Sequence, residues 1–179
     1  MIRQIARTAG IERIAIVGIS GTGKSAIGVR LAEKTGLKLH HMDAIIWSPG
    51  WVETPEESIR VTLAGIAASD HWIVEGWVDS YSKDILHRSG IVLYLDYPGW
   101  LAALGGVQRW WKQKGKKRPE LPEGCIDGFD PDYLRTMLGR RERPHIEAIL
   151  AEVPDLKIVR VRSRREAERV LDWLVAETA

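Results

Sequence analysis

The chain has one cysteine in 179 residues, Cys125. One thiol cannot close an internal disulfide, which fits a reducing cytoplasm and makes Cys125 an unreactive loop thiol. Long apolar runs are missing too. No stretch approaches the roughly 20 apolar residues of a membrane-spanning helix, and Met1 to Glu12 lacks the apolar centre of a signal peptide. A cytoplasmic protein without a membrane partner is therefore expected. Charge of one sign is nearly balanced, at a formal net +2. That is too little for the whole molecule to imply a nucleic-acid partner, although a local basic cluster can act where the average does not. Repeats and low-complexity tracts are absent, and residues 1–179 suit a single domain with a sizeable core. His40 and His41 are adjacent, so on a strand they face opposite sides, which argues against a zinc site.

What is present is Gly18-Ile19-Ser20-Gly21-Thr22-Gly23-Lys24-Ser25, which fits G-x-x-x-x-G-K-[ST] at every defined position, the pattern of a phosphate-binding P-loop. Ile14 to Val17 is an apolar run of buried-strand type before it. Ala26, Ile27 and Leu31 follow at helical spacing and stop at Gly36. Glycines at 18, 21 and 23 let successive N–H groups turn inward around phosphate oxygens at a positive helix start. Lys24 reaches the β- and γ-phosphates as a point charge, and the Ser25 hydroxyl ligates a Mg²⁺ ion bridging them. Ser20, Thr22 and Ala26 complete the nucleotide-contacting set. No Asn-Lys-x-Asp guanine reader is visible, which favours ATP.

Further along, Leu37 to His40 alternates as a second strand, which places Asp43 at a strand's carboxyl end, where open α/β sheets bind ligands. Trp47-Ser48-Pro49-Gly50-Trp51 is a turn between two aromatics. Thr54-Pro55-Glu56-Glu57 predicts a helix capped by Thr54 with Glu57 closing a capping box, and Ile59, Leu63 and Ile66 as its buried stripe. His71 to Gly76 is a third strand ending in Glu75 and Gly76, followed by a short helical piece over Ser82 to Arg88. Ile91 to Asp96 is the most continuous apolar run and the fourth strand. After Pro98, Trp100, Leu104, Val107 and Trp111 recur at helical spacing and are expected in the core.

Between Asp96 and the last strand, Leu156 to Val161, lie roughly sixty residues, far more than a minimal crossover needs. This insertion opens with Arg109, Lys112, Lys114, Lys116, Lys117 and Arg118, without an acid among them. Asp130-Pro131 starts a helix that runs through Leu134, Met137 and Leu138 to Arg140, Arg141 and Arg143. Pro144 restarts it with Ile146, Ile149 and Leu150. Ser163 to Glu166 caps a terminal helix packed by Val170, Leu171 and Leu174. Strands alternating with helices predict an α/β fold with a parallel, doubly wound sheet, the P-loop strand central.

Over roughly residues 13 to 150 the chain resembles small P-loop kinases of the adenylate-kinase-like group, specifically the branch of DNA topology modulation proteins. The residues that carry the likeness are Gly18 to Ser25, His41-Met42-Asp43, Trp47 to Pro55, Leu95 to Pro98, Arg118-Pro119, Glu123 to Cys125 and Arg140 to Pro144. The resemblance implies a three-layer P-loop NTPase fold: a five-stranded parallel sheet of order 2-3-1-4-5, helices on both faces, and a helical lid insertion at about residues 109–143. It puts the third strand beside the P-loop strand, so that Glu75 is preferred to Asp96 as the residue serving the metal with Ser25, although by sequence alone Ile91 to Asp96 looks more like the metal motif and the branch pattern has Asp where this chain has Glu75. It also implies lid arginines that close over ATP and the moving phosphoryl group. Arg140 and Arg143 are the catalytic candidates, Arg141 a nucleotide contact, and Arg109 the base of the lid beside the nucleotide. Preplaced guanidinium groups stabilise charge spread over the equatorial oxygens of a loose transition state.

The acceptor is expected between the second strand and the helix after Pro55, bordered by Glu75 and Gly76. There Asp43 would take the proton of a hydroxyl acceptor, hold Mg²⁺-bound water, or serve only as a turn residue. Trp47 and Trp51 stack on an acceptor ring or wedge the turn onto the sheet. Arg88 binds an acceptor phosphate or pairs at a helix end. Two functions follow: a Mg-ATP-dependent phosphotransferase acting on a small molecule, as a monomer or homodimer, or an ATP-binding regulator acting on DNA or a protein partner. The second rests on the Arg109 to Arg118 cluster, in which Trp110 and Trp111 could stack on bases.

Overall fold

The computed structural model describes residues 11–113, 120–126, 128 and 130–178. Five strands form one parallel sheet: β1 (Arg13–Gly18), β2 (Leu39–His41), β5 (Trp72–Gly76), β6 (Ile91–Leu95) and β7 (Ile158–Val161). Their order is β2-β5-β1-β6-β7, which is the 2-3-1-4-5 arrangement once the short antiparallel hairpin of β3 (Trp47–Ser48) and β4 (Val52–Glu53) is set aside. The remaining elements are helices α1 (Lys24–Thr35), α2 (Met42–Ile46), α3 (Glu56–Ala68), α4 (Lys83–Arg88), α5 (Gly99–Gln113), α6 (Pro131–Leu138), α7 (Arg143–Ala151) and α8 (Arg164–Thr178), with a 3₁₀ turn, Ser80–Ser82, capped by the Asp79 side chain.

Period-two alternation explains why helices lie on both faces. On β1, Ala15 and Val17 enter one core while Ile14 and Ile16 enter the other, and on β6 Val92 and Tyr94 part from Ile91, Leu93 and Leu95 in the same way. Strands apolar on both sides need cover on both sides. The first core is closed by Ile59 and Leu63 of α3 and Ile146 and Ile149 of α7. The second is closed by Ile27 and Leu31 of α1 and by Val170, Leu171 and Leu174 of α8. Half of the terminal capping box forms: Ser163 Oγ accepts from the Glu166 amide, while Glu166 accepts from the Arg162 amide, one residue before the cap.

Two local expectations are corrected. Helix α3 begins at Glu56 with Pro55 as its cap and no side-chain cap bond. Thr54 is engaged elsewhere: its amide donates to the Ile46 carbonyl at 2.8 Å and its hydroxyl meets Ser48 Oγ at 3.1 Å, closing the base of the hairpin. The larger correction concerns α5. Trp100 and Trp111 are 64% and 75% exposed, and Leu104 and Val107 share that outer face. The buried face is instead the small one, Gly99, Ala102, Ala103 and Gly106. Here close backbone approach outweighs the area of large side chains. A Cβ on Gly105 would lie 2.0 Å from the Gly21 carbonyl oxygen, and one on Gly99 would lie 2.0 Å from that of Leu138. Helix α5 therefore lies directly against the P-loop and α6, an approach that only small residues permit.

Candidate functional site

The loop from Gly18 to Lys24 leaves the carboxyl end of the central strand and enters α1 at Lys24. Gly21 has φ of 78°, and a Cβ there would meet the Ala102 carbonyl oxygen at 2.1 Å, so both its conformation and its neighbour require glycine. A cavity of 1310 Å³ opens at this point, with Ser20 to Ala26 along its floor. The Lys24 ammonium donates to the carbonyls of Gly18 at 2.9 Å and Ile19 at 3.2 Å. Enclosure of that ammonium lowers its pKa, while the nearby carboxylates of Glu75, Glu142 and Asp43 pull it back up.

The sheet order sorts the cavity walls. Residues that follow β2 and β5 stand on one side of the P-loop, and residues that follow β6 and β7 stand on the other. The first side carries Asp43, Trp47, Trp51, Glu75, Gly76 and Trp77, with Glu53, Asp79 and Tyr81 beyond them. Trp47 and Trp51 meet edge to face at 5.4 Å. Their turn is pinned from outside, since the Trp51 amide donates to Cys125 Sγ and the Gly50 amide to the Glu123 carbonyl at 3.0 Å. Cys125 is fully buried and so takes part in shaping this wall.

Glu75 is 4% exposed and sits on β5 opposite Ile16 of β1 and His41 of β2. His41 Nδ1 donates to Glu75 Oε1 at 2.5 Å. That bond, together with the charges of Glu75, Glu120 and Asp43, raises the histidine pKa against the opposing effect of burial. Burial, and then the carboxylates of Asp79, Glu53, Glu56 and Asp43, push the Tyr81 phenol up to about 12.

The other side carries Tyr97, Gln108, Arg109, Lys112 and Arg164, with Glu33 and an Arg30–Glu168 pair at 2.6 Å beside them. Arg164, at the start of α8, donates to Gln108 at 3.1 Å and so links α8 to α5. Above the floor, Glu142 accepts from the Ser20 amide at 2.6 Å and from the Ser20 hydroxyl at 2.9 Å, and the Tyr133 hydroxyl donates to that same Ser20 oxygen. A carboxylate thus occupies a P-loop donor, the kind of group such a loop is built to receive.

Several candidate residues stand elsewhere. Gly18 shapes the loop without lining the cavity. Arg140, Arg141 and Arg143 do not line it either. Arg140 and Arg143 donate to Asp96, as does Arg160 at 3.0 Å, so the carboxylate that most resembled a metal residue by sequence is enclosed by three guanidinium groups. Of the two readings of Arg88 the structure shows the helix-end one, with its guanidinium 3.9 Å from the Asp70 carboxylate. Arg88 precedes β6 and therefore lies at the amino edge of a parallel sheet, away from the P-loop, where its Nε donates to the Ala67 carbonyl at 3.1 Å. Lys114, Lys116, Lys117 and Arg118 lie outside the described residues.

Sequence reasoning missed Trp77, Asp79, Tyr81 and Arg164, although the rule that placed Asp43 at a strand's carboxyl end reaches the residues after β5 and β7 as well. Tyr133 and Glu142 had no such signal, because only the folding back of α6 and its successor brings them to Ser20. Among the described residues, no group of three or more His, Cys, Asp or Glu side chains is arranged to hold a metal ion. Ser25 and Glu75, which both line the cavity, suit an ion held chiefly by phosphates and water.

No family model and no curated protein matches the chain. Solved structures do. The chain is similar to shikimate kinase from Acinetobacter baumannii in complex with shikimate, with TM-score 0.57, 19% identity and 98% of each chain covered. It is similar to a sugar kinase from Janibacter sp., with TM-score 0.52 and 19% identity over 94% of this chain and 98% of that one. It is also similar to the YorR protein from Bacillus subtilis in complex with phosphorylated GDP, with TM-score 0.53 and 12% identity over 92% and 95% of the two chains. At these identities the likeness shows the fold, that of the small P-loop kinases. It gives no support to the finer resemblance to DNA topology modulation proteins.

Proposed function

We propose that the protein is a Mg-ATP-dependent phosphotransferase that moves the γ-phosphoryl group to a hydroxyl of a small acceptor. The observation that carries this reading is one cavity with Lys24 and Ser25 on its floor, basic groups on one side and Asp43 on the other. The polyphosphate lies along the amides of Gly21 to Ser25, its base directed towards Arg109 and Arg164. Lys24 turns from its own loop carbonyls to the phosphates. A Mg²⁺ ion held with help from Ser25 and Glu75 supplies charge neutralisation of the phosphates.

On the other side Asp43 takes the proton of the acceptor hydroxyl as that oxygen bonds to phosphorus and ADP leaves with the electrons of the broken P–O bond. Arg109 is the cation placed to stabilise the transferring group, while Arg140 and Arg143 hold Asp96 and so brace the segment that carries Glu142. That segment, about residues 109–143, serves as the lid. ATP is the expected donor, and GTP belongs in the comparison because one structural neighbour carries a guanine nucleotide.

The test is ADP release with Mg²⁺ and ATP or GTP against a panel of hydroxyl and phosphate acceptors. Lys24→Ala is expected to lower acceptor-dependent turnover by about 10³-fold, the scale of losing a preplaced charge at the transferring group. Full turnover by that variant would show that the loop plays no part in transfer. The regulatory reading has less to stand on: no observation favours a nucleic-acid partner over a small acceptor.

A further inference from the structure

From the contrast between the cavity's two ends we infer that the acceptor is a hydroxyl compound bearing a protonated amino group, seated among Trp47, Trp51, Trp77 and Tyr81 beside the carboxylates of Asp43, Glu53 and Asp79. This deepens the phosphotransferase reading and rests on it. Beyond Lys24 this end of the cavity holds five carboxylates, those of Asp43, Glu53, Glu75, Asp79 and Glu120. Among the described residues two histidines face these carboxylates, His41 bonded to Glu75 at 2.5 Å and His145 paired with Asp79 at 3.3 Å, so the carboxylates outnumber the groups of opposite sign.

The carboxylates converge. Asp79, Glu53 and Asp43 all act on the single phenol of Tyr81, and Asp43 acts on Lys24, His41 and Tyr133 as well. The aromatic rings are held in place: Trp77 lies parallel to His145 at 4.9 Å and 5°, and Trp47 is fixed edge to face with Trp51.

Three ligand classes fare differently in such a wall. An acceptor with a phosphate or carboxylate would bring a further negative charge among these groups. A neutral polyol would strip water from the carboxylates without replacing its favourable charge interaction. A protonated amine gains from both the carboxylates and the aromatic faces, the combination by which proteins recognise organic cations. The transferring oxygen is a separate hydroxyl. It bonds to the γ-phosphorus as the bond to the β–γ bridging oxygen breaks, ADP departs with that electron pair, and the hydroxyl proton passes to Asp43. The ammonium group keeps its protons throughout.

The experiment titrates the protein by tryptophan fluorescence, with Mg²⁺ and a non-hydrolysable ATP analogue present. Glucosamine and kanamycin serve as aminated probes, glucose as the uncharged one, and glucuronate and shikimate as carboxylated ones. At least one aminated probe is expected to bind about tenfold or more tightly than any other probe. The Glu53→Gln, Asp79→Asn double variant is expected to reduce that preference at least about threefold. Equal or tighter binding of glucose or a carboxylated probe overturns the inference, as does failure of both aminated probes to saturate by about 10 mM. ADP release with ATP separates the two levels of argument. Turnover of a carboxylated probe sinks the amine and leaves the phosphotransferase standing, whereas loss of Mg-nucleotide binding sinks the phosphotransferase and this inference with it.

Discussion

The two ends of the cavity are built by the same rule from different chemistry. Both consist largely of residues past the carboxyl ends of parallel strands, and both adjoin the one P-loop, yet the β2/β5 side presents an excess of carboxylates with indoles while on the β6/β7 side Arg30, Arg109, Lys112 and Arg164 outnumber Glu33 and Glu168. The sheet order produces this separation. With the P-loop strand third of five, each end draws its side chains from different crossovers, and the two can carry opposite charge without meeting. Two unit charges about 6 Å apart in a medium of effective dielectric about 20 interact by about 3 kcal/mol. A polyphosphate is therefore steered to one side, and a second anion is discouraged from the other.

The seam between the ends is where the largest effect is expected. Helix α5 touches the P-loop through Gly105, whose missing side chain admits the Gly21 carbonyl. In Gly105→Val, the added atoms must push the helix or the loop aside, an overpacking cost of about 1–3 kcal/mol in thermal unfolding. Displacing loop amides by about an ångström is expected to weaken Mg-nucleotide binding by about 100-fold. Unchanged nucleotide affinity in this variant would show that the loop does not depend on α5, and the two sides would then not share a seam.

A smaller effect separates the sides from each other. Arg109→Ala is expected to weaken Mg-ATP binding about tenfold, the scale of one charge-assisted contact, and to leave acceptor-side binding within about twofold. Calorimetry with nucleotide alone, followed by fluorescence titration of the acceptor side, reads the two effects independently. Loss on the acceptor side without loss of nucleotide would reverse the assignment of the ends.

How much of this was legible depended on whether a feature is local in sequence. The P-loop, the buried strands and the Ser163 cap are written in runs of a few residues, because backbone conformation and period-two burial are decided by near neighbours. Asp43 and Glu75 were reachable because strand ends in a parallel sheet converge on one edge. The same logic should have moved Arg88 to the opposite edge, since it precedes a strand rather than following one. The stripe of Trp100, Leu104, Val107 and Trp111 was misread for a different reason. Helical spacing reports which residues share a face, but which face is buried depends on the partner surface, and here that surface is backbone from Gly21 and Leu138. The pairing of Arg140, Arg143 and Arg160 on Asp96 spans 44 to 64 positions of the chain, and charge composition alone could not distinguish those arginines from phosphate ligands.

The smallest effect separates the ends by pH. His41 is bonded to the acceptor-side carboxylate of Glu75, as His145 is paired with Asp79, and its pKa is raised above the ordinary 6.5, first by the bond to Glu75 and then by the charges of Glu75, Glu120 and Asp43. A histidine whose folded-state pKa is raised adds stability that is fully present below about pH 6.5. That stability is lost as pH rises through the higher folded value. The wild type should therefore exceed His41→Gln by about 1 kcal/mol at pH 6, and the margin should shrink as the solution becomes alkaline. Deprotonation also leaves Lys24 as the remaining positive charge near Glu75, so a probe of fixed positive charge, such as choline, should bind the wild type more tightly over the same range in which that margin disappears. Measured melting temperatures and titrations between about pH 6 and pH 8.5 must then move in opposite directions. If both fell together, or if His41→Gln showed the same pH slope as the wild type, Glu75 and His41 would not be a pair that sets the charge of this end. The contrast between the ends would then have to rest on Asp43, Glu53 and Asp79 alone.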